Sequence, residues 1–121
     1  MAEIKDKKHG KTAFYIDGNE IKDNKYGDTL YYIKFPEIKE KSKYGTVRFY
    51  IDEEEIKEKS KYGKTRYYID DNDVKDGSKY GNTRYYIDGK TIKEKSKYGS
   101  AVYYIDGSLT RDQLYALISI I

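Results

Sequence analysis

Cysteine and tryptophan are absent from this 121-residue chain, and proline, histidine and methionine occur once each. Without cysteine there is no disulfide and no thiolate metal site. A lone histidine, His9, gives no imidazole set for zinc. No run is long and apolar enough to span a bilayer, and no apolar segment follows Met1 as a secretory signal would require. These absences predict a cytoplasmic protein with no metal, no cofactor and no membrane span. Charge of one sign is missing too: charged residues make up 37% of the chain, yet the net charge is +3. Hydrophobic residues also make up 37%, and 16 tyrosines supply much of that share. Each buried phenol needs a partner, so a large dry core is not expected. Regularly placed aromatic and β-branched residues argue against the disorder that high charge would suggest.

What is present is repetition. Lys-Tyr-Gly recurs at Lys25, Lys43, Lys61, Lys79 and Lys97, and an aromatic–aromatic–Ile triplet begins at Phe14, Tyr31, Phe49, Tyr67, Tyr85 and Tyr103. Six units of about 18 residues result, each opened and closed by an aliphatic residue, as at Ile92 and Ile105. The first two units are one residue shorter. Each half-unit has the composition of a strand, with Gly, Asp and Asn at its bounds. The expected fold is all-β: an antiparallel meander of six hairpins over residues 1–107, single-layered or flower-like, followed by a short helix over 108–121.

A register test supports the meander. A two-residue turn at Gly89–Lys90 sets Asp88 opposite Thr91, Ile87 opposite Ile92 and Tyr86 opposite Lys93. A second at Tyr98–Gly99 sets Lys97 opposite Ser100 and Ile92 opposite Ile105. Three features fit less well. Phe35–Pro36 and Glu53–Glu54 are poor turn residues, so longer loops are expected there. Arg84 falls opposite Lys95, a like-charge pair. The two shorter units need a bulge or a different loop. A β-solenoid would stack Lys39, Lys57, Lys75 and Lys93 in one column, whereas the meander puts tyrosines between them; like-charge cost favours the meander.

Alternation then separates two faces. One carries the Ile and Val residues, the first aromatic of each pair, and Glu40, Glu58, Asp76 and Glu94. The other carries the second tyrosines, including Tyr68 and Tyr86, among Lys57, Lys59, Lys75, Lys93, Lys95, Arg48, Arg66 and Arg84. Aromatics set between cations can grip a polyanion such as single-stranded nucleic acid or an acidic glycan. The bland alternative is a solvated face that keeps a repeat sheet soluble.

After Gly107 the pattern changes. Thr110 is a good helix N-cap, Gln113 completes a capping box, and Leu109 with Leu114 can form a hydrophobic staple. Leu114, Leu117, Ile118 and Ile121 share a face. Twelve strands would span about 55 Å at ordinary strand spacing, against about 17 Å of helix. The helix covers only part of such an apolar sheet, so the rest must curl, pair with another chain or stay wet. Self-association as a homo-oligomer through Leu109, Leu114, Leu117, Ile118, Ile121 and the Ile face is the expectation.

The Ile-Lys-Asp-Lys-Lys-His-Gly and Tyr-Ile-Asp-Gly segments of the first unit resemble bacterial β-hairpin repeats of the beta-flower kind, across residues 1–107. That resemblance implies hairpins radiating like petals and no activity; the family has four units where this chain has six. Tyr103 to Gly107 (Tyr-Tyr-Ile-Asp-Gly) is also similar to the Tyr-Tyr core of choline- and glucan-binding cell-wall repeats, whose cage uses the tryptophan that this chain lacks.

No catalytic motif is legible. His9 takes the place held by tyrosine in the other units, as a turn residue would. Asp17, Asp52, Asp70, Asp88 and Asp106 recur beside turns, which suits turn chemistry better than a unique carboxylate pair. Asp52-Glu53-Glu54-Glu55 lacks the ligand spacing and Gly of a calcium loop. The Lys-Tyr-Gly glycines never precede a helix as in a phosphate cradle, and their expected task is to supply positive φ in the turns. The sequence thus predicts a non-enzymatic assembly module, with a polyanion-binding module as the alternative.

Overall fold

The computed structural model describes residues 1–6 and 10–121, so His9 lies outside the described residues. Among them, twelve strands precede one helix. In chain order they are β1 (Ala2–Lys5), β2 (Thr12–Asp17), β3 (Glu20–Lys22), β4 (Thr29–Lys34), β5 (Glu37–Glu40), β6 (Val47–Asp52), β7 (Glu55–Glu58), β8 (Thr65–Asp70), β9 (Asp73–Asp76), β10 (Thr83–Asp88), β11 (Thr91–Glu94) and β12 (Ala101–Gly107), then α1 (Arg111–Ile120). Every strand pairs antiparallel with its chain neighbour, and β1 pairs with β12, so the meander closes into a barrel.

Closure settles what covers the apolar face. Ile4 lies opposite Ile105 and Ala2 opposite Gly107 across the seam. Gly107 has φ +120°, and a Cβ there would stand 2.5 Å from the Met1 carbonyl oxygen, so only glycine fits the seam. Among the described residues no strand edge remains open to another chain.

The helix fills the lumen. Tyr115, Ala116, Leu117, Ile118 and Ser119 are five consecutive buried residues, enclosed on every side. Tyr115, Ala116, Leu117 and Ile118 form one cluster with Ile4, Ile16, Ile21, Ile38, Ile56 and their repeat equivalents. The expected one-sided docking is therefore corrected: a ring of strands surrounds α1. The expectation of no large dry core also gives way, because aliphatic residues at two places per unit all meet on this axis. Leu117 and Ile118 are fully buried against this chain's own strands, and Leu109, Leu114 and Ile121 are partly buried on the same cluster. Dimensions explain the fit. A closed ring of twelve strands has a radius of about 9–12 Å, and a helix with its side chains about 5–6 Å, which leaves room for one layer of isoleucine.

The start of α1 follows the sequence signals. Thr110 accepts a hydrogen bond from the Gln113 backbone N–H, and the Gln113 side chain accepts one from the Thr110 N–H. Gln113 Nε2 also donates to the Gly18 carbonyl oxygen at 2.9 Å. At the other end Ile120 lines a cavity with Phe14, Leu30 and Tyr31. The helix therefore runs from the end with the tight turns toward the end with the Lys-Tyr-Gly loops.

The two kinds of connection differ. At the tight end the register is as expected: Asp88 faces Thr91, Ile87 faces Ile92 and Tyr86 faces Lys93. Glu53–Glu54 and Phe35–Pro36 also form two-residue loops, since Asp52 faces Glu55 and Lys34 faces Glu37. At Glu53–Glu54 a longer loop is not needed, because the chain accepts φ +56° at Glu53, as it does +54° at Asp71, where Gly18 and Gly89 serve other hairpins.

At the Lys-Tyr-Gly end the loops are wider than two residues. Glu94 N–H bonds the Ser100 carbonyl, closing a five-residue loop, and Ile92 faces Tyr103 rather than Ile105. A bulge follows in every unit, not only in the two short ones; the extra residues are Ala13, Leu30, Arg48, Arg66, Arg84 and Val102. The Lys95 N–H donates to the Arg84 carbonyl, but Lys95 turns away into the loop with φ +66°. The role of the recurrent glycine changes as well. Positive φ falls on Lys41, Lys59, Gly77 and Lys95 instead. Gly45, Gly63, Gly81 and Gly99 are needed for close approach, because a Cβ at Gly63 would lie 1.7 Å from the Glu58 carbonyl oxygen.

Gly63→Ala should therefore destabilise the fold by about 1–3 kcal/mol. Lys59→Gly should stabilise it by about 0.5–1 kcal/mol, the left-handed strain of Lys59 outweighing the added chain entropy. Both are read from urea unfolding, and opposite signs at these neighbouring positions are the discriminating result. Leu117→Ala should cost about 2–5 kcal/mol if α1 is the core of the barrel; a cost under 1 kcal/mol would place the helix outside it.

Candidate functional site

The meander puts all Lys-Tyr-Gly loops on one rim. Tyr26, Tyr44, Tyr62, Tyr80 and Tyr98 stand there, 85–90% exposed. Each ring has the ammonium of its preceding lysine 5.1–5.8 Å from its centroid. The backbone beneath them is fixed. Ser60 Oγ accepts from the Tyr62 N–H at 3.2 Å, and the Gly63 N–H donates to the Ser60 carbonyl at 2.9 Å. The same pair of bonds recurs at Ser42, Ser78 and Ser96. These side chains are thus held out into solvent by ordered loops.

Over part of the circumference charge is segregated along the barrel axis, although loop 23–28 carries Asp23 and Asp28 and the opposite turns include Lys34 and Lys90. Loops 41–46, 59–64, 77–82 and 95–100 carry eight lysines and no carboxylate. At the opposite rim, turns 52–55 and 70–73 carry seven carboxylates and no cation. The small net charge conceals this polarity.

The sheet face singled out from the sequence is arranged differently. Tyrosine and lysine do alternate across strands on the barrel's outside, with Tyr50 opposite Lys57, Tyr68 opposite Lys75 and Tyr86 opposite Lys93. The lysine heads, however, are occupied. Lys57 Nζ lies 3.1 Å from Asp52 Oδ2 and 3.0 Å from the Lys61 carbonyl oxygen. Lys75 bonds Asp70 and Lys79, and Lys93 bonds Asp88 and Lys97, in the same way. The hydrogen bond to Asp52 raises the Lys57 pKa above its ordinary value, against a smaller opposing effect of desolvation. These lysines tie a tight-turn carboxylate to a wide loop. Lys59 instead stands exposed on the rim.

The bulge moves the arginines off the outer face. Arg66 lies over the Phe49 and Tyr67 rings, at 5.7 and 5.1 Å. Arg48 pairs with Glu40 at 2.6 Å and Arg84 with Asp76 at 3.8 Å. These groups border the mouth of the barrel with Tyr67 and Tyr85, whose rings meet edge-on at 6.3 Å. A cavity of 660 Å³ opens there, lined by Glu40, Arg48, Glu58, Lys59 and Arg66, among others. The exposed Lys-Tyr loops and this mouth are the features that strand alternation alone missed; the recurrence of Lys-Tyr-Gly in five of the six units was the signal pointing to the rim.

Among the described residues no cluster of three or more His, Cys, Asp or Glu could hold a metal ion. Among the described residues no helix is long and apolar enough to cross a membrane. Compared with known protein families, curated proteins and solved structures, the chain matches none.

Burial pushes the Tyr67 phenol above its ordinary value of 10.0, against the pull of Arg66, and raises Tyr103 likewise. The unfolded phenols ionise first as pH climbs past 10, while the folded ones hold their protons. Stability should thus be insensitive to these two groups below pH 10 and fall above it. Urea midpoints measured from pH 8 to 11 test this; Tyr67→Phe should flatten the alkaline fall.

Proposed function

We propose that this protein is a non-enzymatic binding module that grips a polyanion with its rim of Lys-Tyr-Gly loops. The observation that carries the reading is the set of five tyrosines, 85–90% exposed, each beside a lysine ammonium. Rings so far from the core contribute little to folding, yet the loop hydrogen bonds hold them ready, so little ordering cost remains on binding. Neighbouring loops stand about 10 Å apart, two strand spacings, and a chain with repeated negative charge can engage several at once. Tyrosine adds stacking or apolar contact to the lysine's charge.

The polarity of the barrel favours a second reading, self-association. The basic rim of one copy complements the acidic rim of the next, which would build a head-to-tail stack. Helix and Ile face are internal in the monomer, so any such assembly uses the rims.

The polyanion reading is tested by fluorescence anisotropy with a labelled dT oligomer and a labelled acidic oligosaccharide. Affinity should fall steeply with salt. Replacing Lys43, Lys61, Lys79 and Lys97 together by alanine should reduce the log–log salt slope by about 3. Salt-independent binding, or none to either probe, would sink it. Light scattering across the same salt series addresses stacking, which should dissolve as salt rises.

A further inference from the structure

Arg48, Arg66 and Arg84 hold the same place in successive units, each the extra residue of a bulge. Each has an acid eight residues before it: Glu40, Glu58 and Asp76. Arg48 and Arg84 pair with theirs. Arg66 and Glu58 do not pair with each other, and among the described residues neither forms an ion pair. The neighbouring units act as internal controls: equivalent backbone and equivalent charges, with two of the three arginines satisfied.

What holds Arg66 is aromatic. Its guanidinium lies 5.7 Å from the Phe49 ring centroid and 5.1 Å from that of Tyr67. Its Nε is buried and has no hydrogen-bond partner. With Nε shut off from solvent, a ligand in the cavity can reach the guanidinium only at its other nitrogens, and the stacked rings keep the group in place. Arg66, Lys59 and Glu58 all line the 660 Å³ cavity, a volume within the range of small-ligand sites.

The two open groups ask for different things. Arg66, with Lys59 beside it, calls for an acceptor carrying negative charge. Glu58 offers carboxylate oxygens that call for a donor and disfavour a bare anion. Phosphate or sulfate would satisfy the first and oppose the second; a neutral polyol would do the reverse. We propose that this cavity binds a hydroxy acid of the kind a uronic acid presents, its carboxylate on Arg66 and a hydroxyl donating to Glu58. Such a unit could arrive free or as part of an acidic glycan. The second source rests on the rim's gripping a polyanion; the pocket itself does not.

The test is NMR titration of the full-length protein, following the Arg66 Nε–H resonance. Glucuronate should shift it saturably, with glucose and inorganic phosphate at least tenfold weaker. Arg66→Lys should lose glucuronate binding at least tenfold. Glu58→Gln should improve phosphate binding and narrow the preference for glucuronate. No shift with glucuronate, or phosphate binding as tightly as glucuronate in the native protein, would overturn the proposal. The quadruple rim variant should still bind glucuronate, which separates this site from the rim. An oligogalacturonate that binds more tightly than the monomer, and only while the rim lysines are present, would identify a glycan; equal affinities would identify the free acid. Either result supports the hydroxy-acid pocket.

Discussion

The structure depends on one steric match, between the width of a ring of twelve strands and the girth of a single helix. Short strands of this composition cannot bury their isoleucines alone. Bent into a ring, they direct Ile16, Ile38, Ile56 and Ile92 at a common axis, where Leu117 and Ile118 meet them. The helix is too short to be stable by itself, and the ring without it would enclose a void. Each supplies what the other lacks. Pairing of β1 with β12 then becomes possible, and with it the loss of both sheet edges.

The outside shows how a chain with so much charge stays organised. Lys57, Lys75 and Lys93 each bridge a carboxylate beside a tight turn and the carbonyl of a wide loop. Those cations are part of the scaffold. The lysines of loops 41–46, 59–64, 77–82 and 95–100 stand where there is no acid, whereas Lys25 has Asp23 and Asp28 in its loop. The division between scaffold charge and surface charge runs along the barrel axis, set by which kind of connection a residue occupies. In a meander all connections of one kind share one end, so a local repeat of 18 residues becomes a polarity of the whole molecule.

Much of the fold was legible in the sequence, for identifiable reasons. Tight-turn register followed from matching Ile87 with Ile92, and the helix start from Thr110 and Gln113. Both are local patterns. Closure stayed open between a single layer and a flower-like ring, because nothing in a strand's own composition states its curvature. The wide loops were misread because Tyr98–Gly99 resembles a two-residue turn; the Cβ clash that demands Gly99 arises only once the loop folds back on Glu94. That error set Ile92 opposite Ile105 and kept Arg66 on the outer face. One bulge residue per unit reverses the arginine, and so the mouth of the barrel, with Arg66, Glu58 and Lys59 brought together, escaped simple alternation. The outer tyrosine–lysine ladder was visible, but its ion pairs with Asp52, Asp70 and Asp88 were not.

Closure around a helix has a consequence for how such a chain can evolve. An open solenoid gains or loses a unit at little cost, because each unit touches only its neighbours. Here every hairpin also helps set the circumference. Losing one would tighten the ring onto Leu117 and Ile118, and a seventh would open an annular gap around them. Copy number is therefore locked, and variation within the family of possible descendants is confined to substitution inside the units. The differences already present between units, such as Gly77 where Lys41, Lys59 and Lys95 stand in others, or Asp76 where Glu40 and Glu58 stand, are the form that divergence can take.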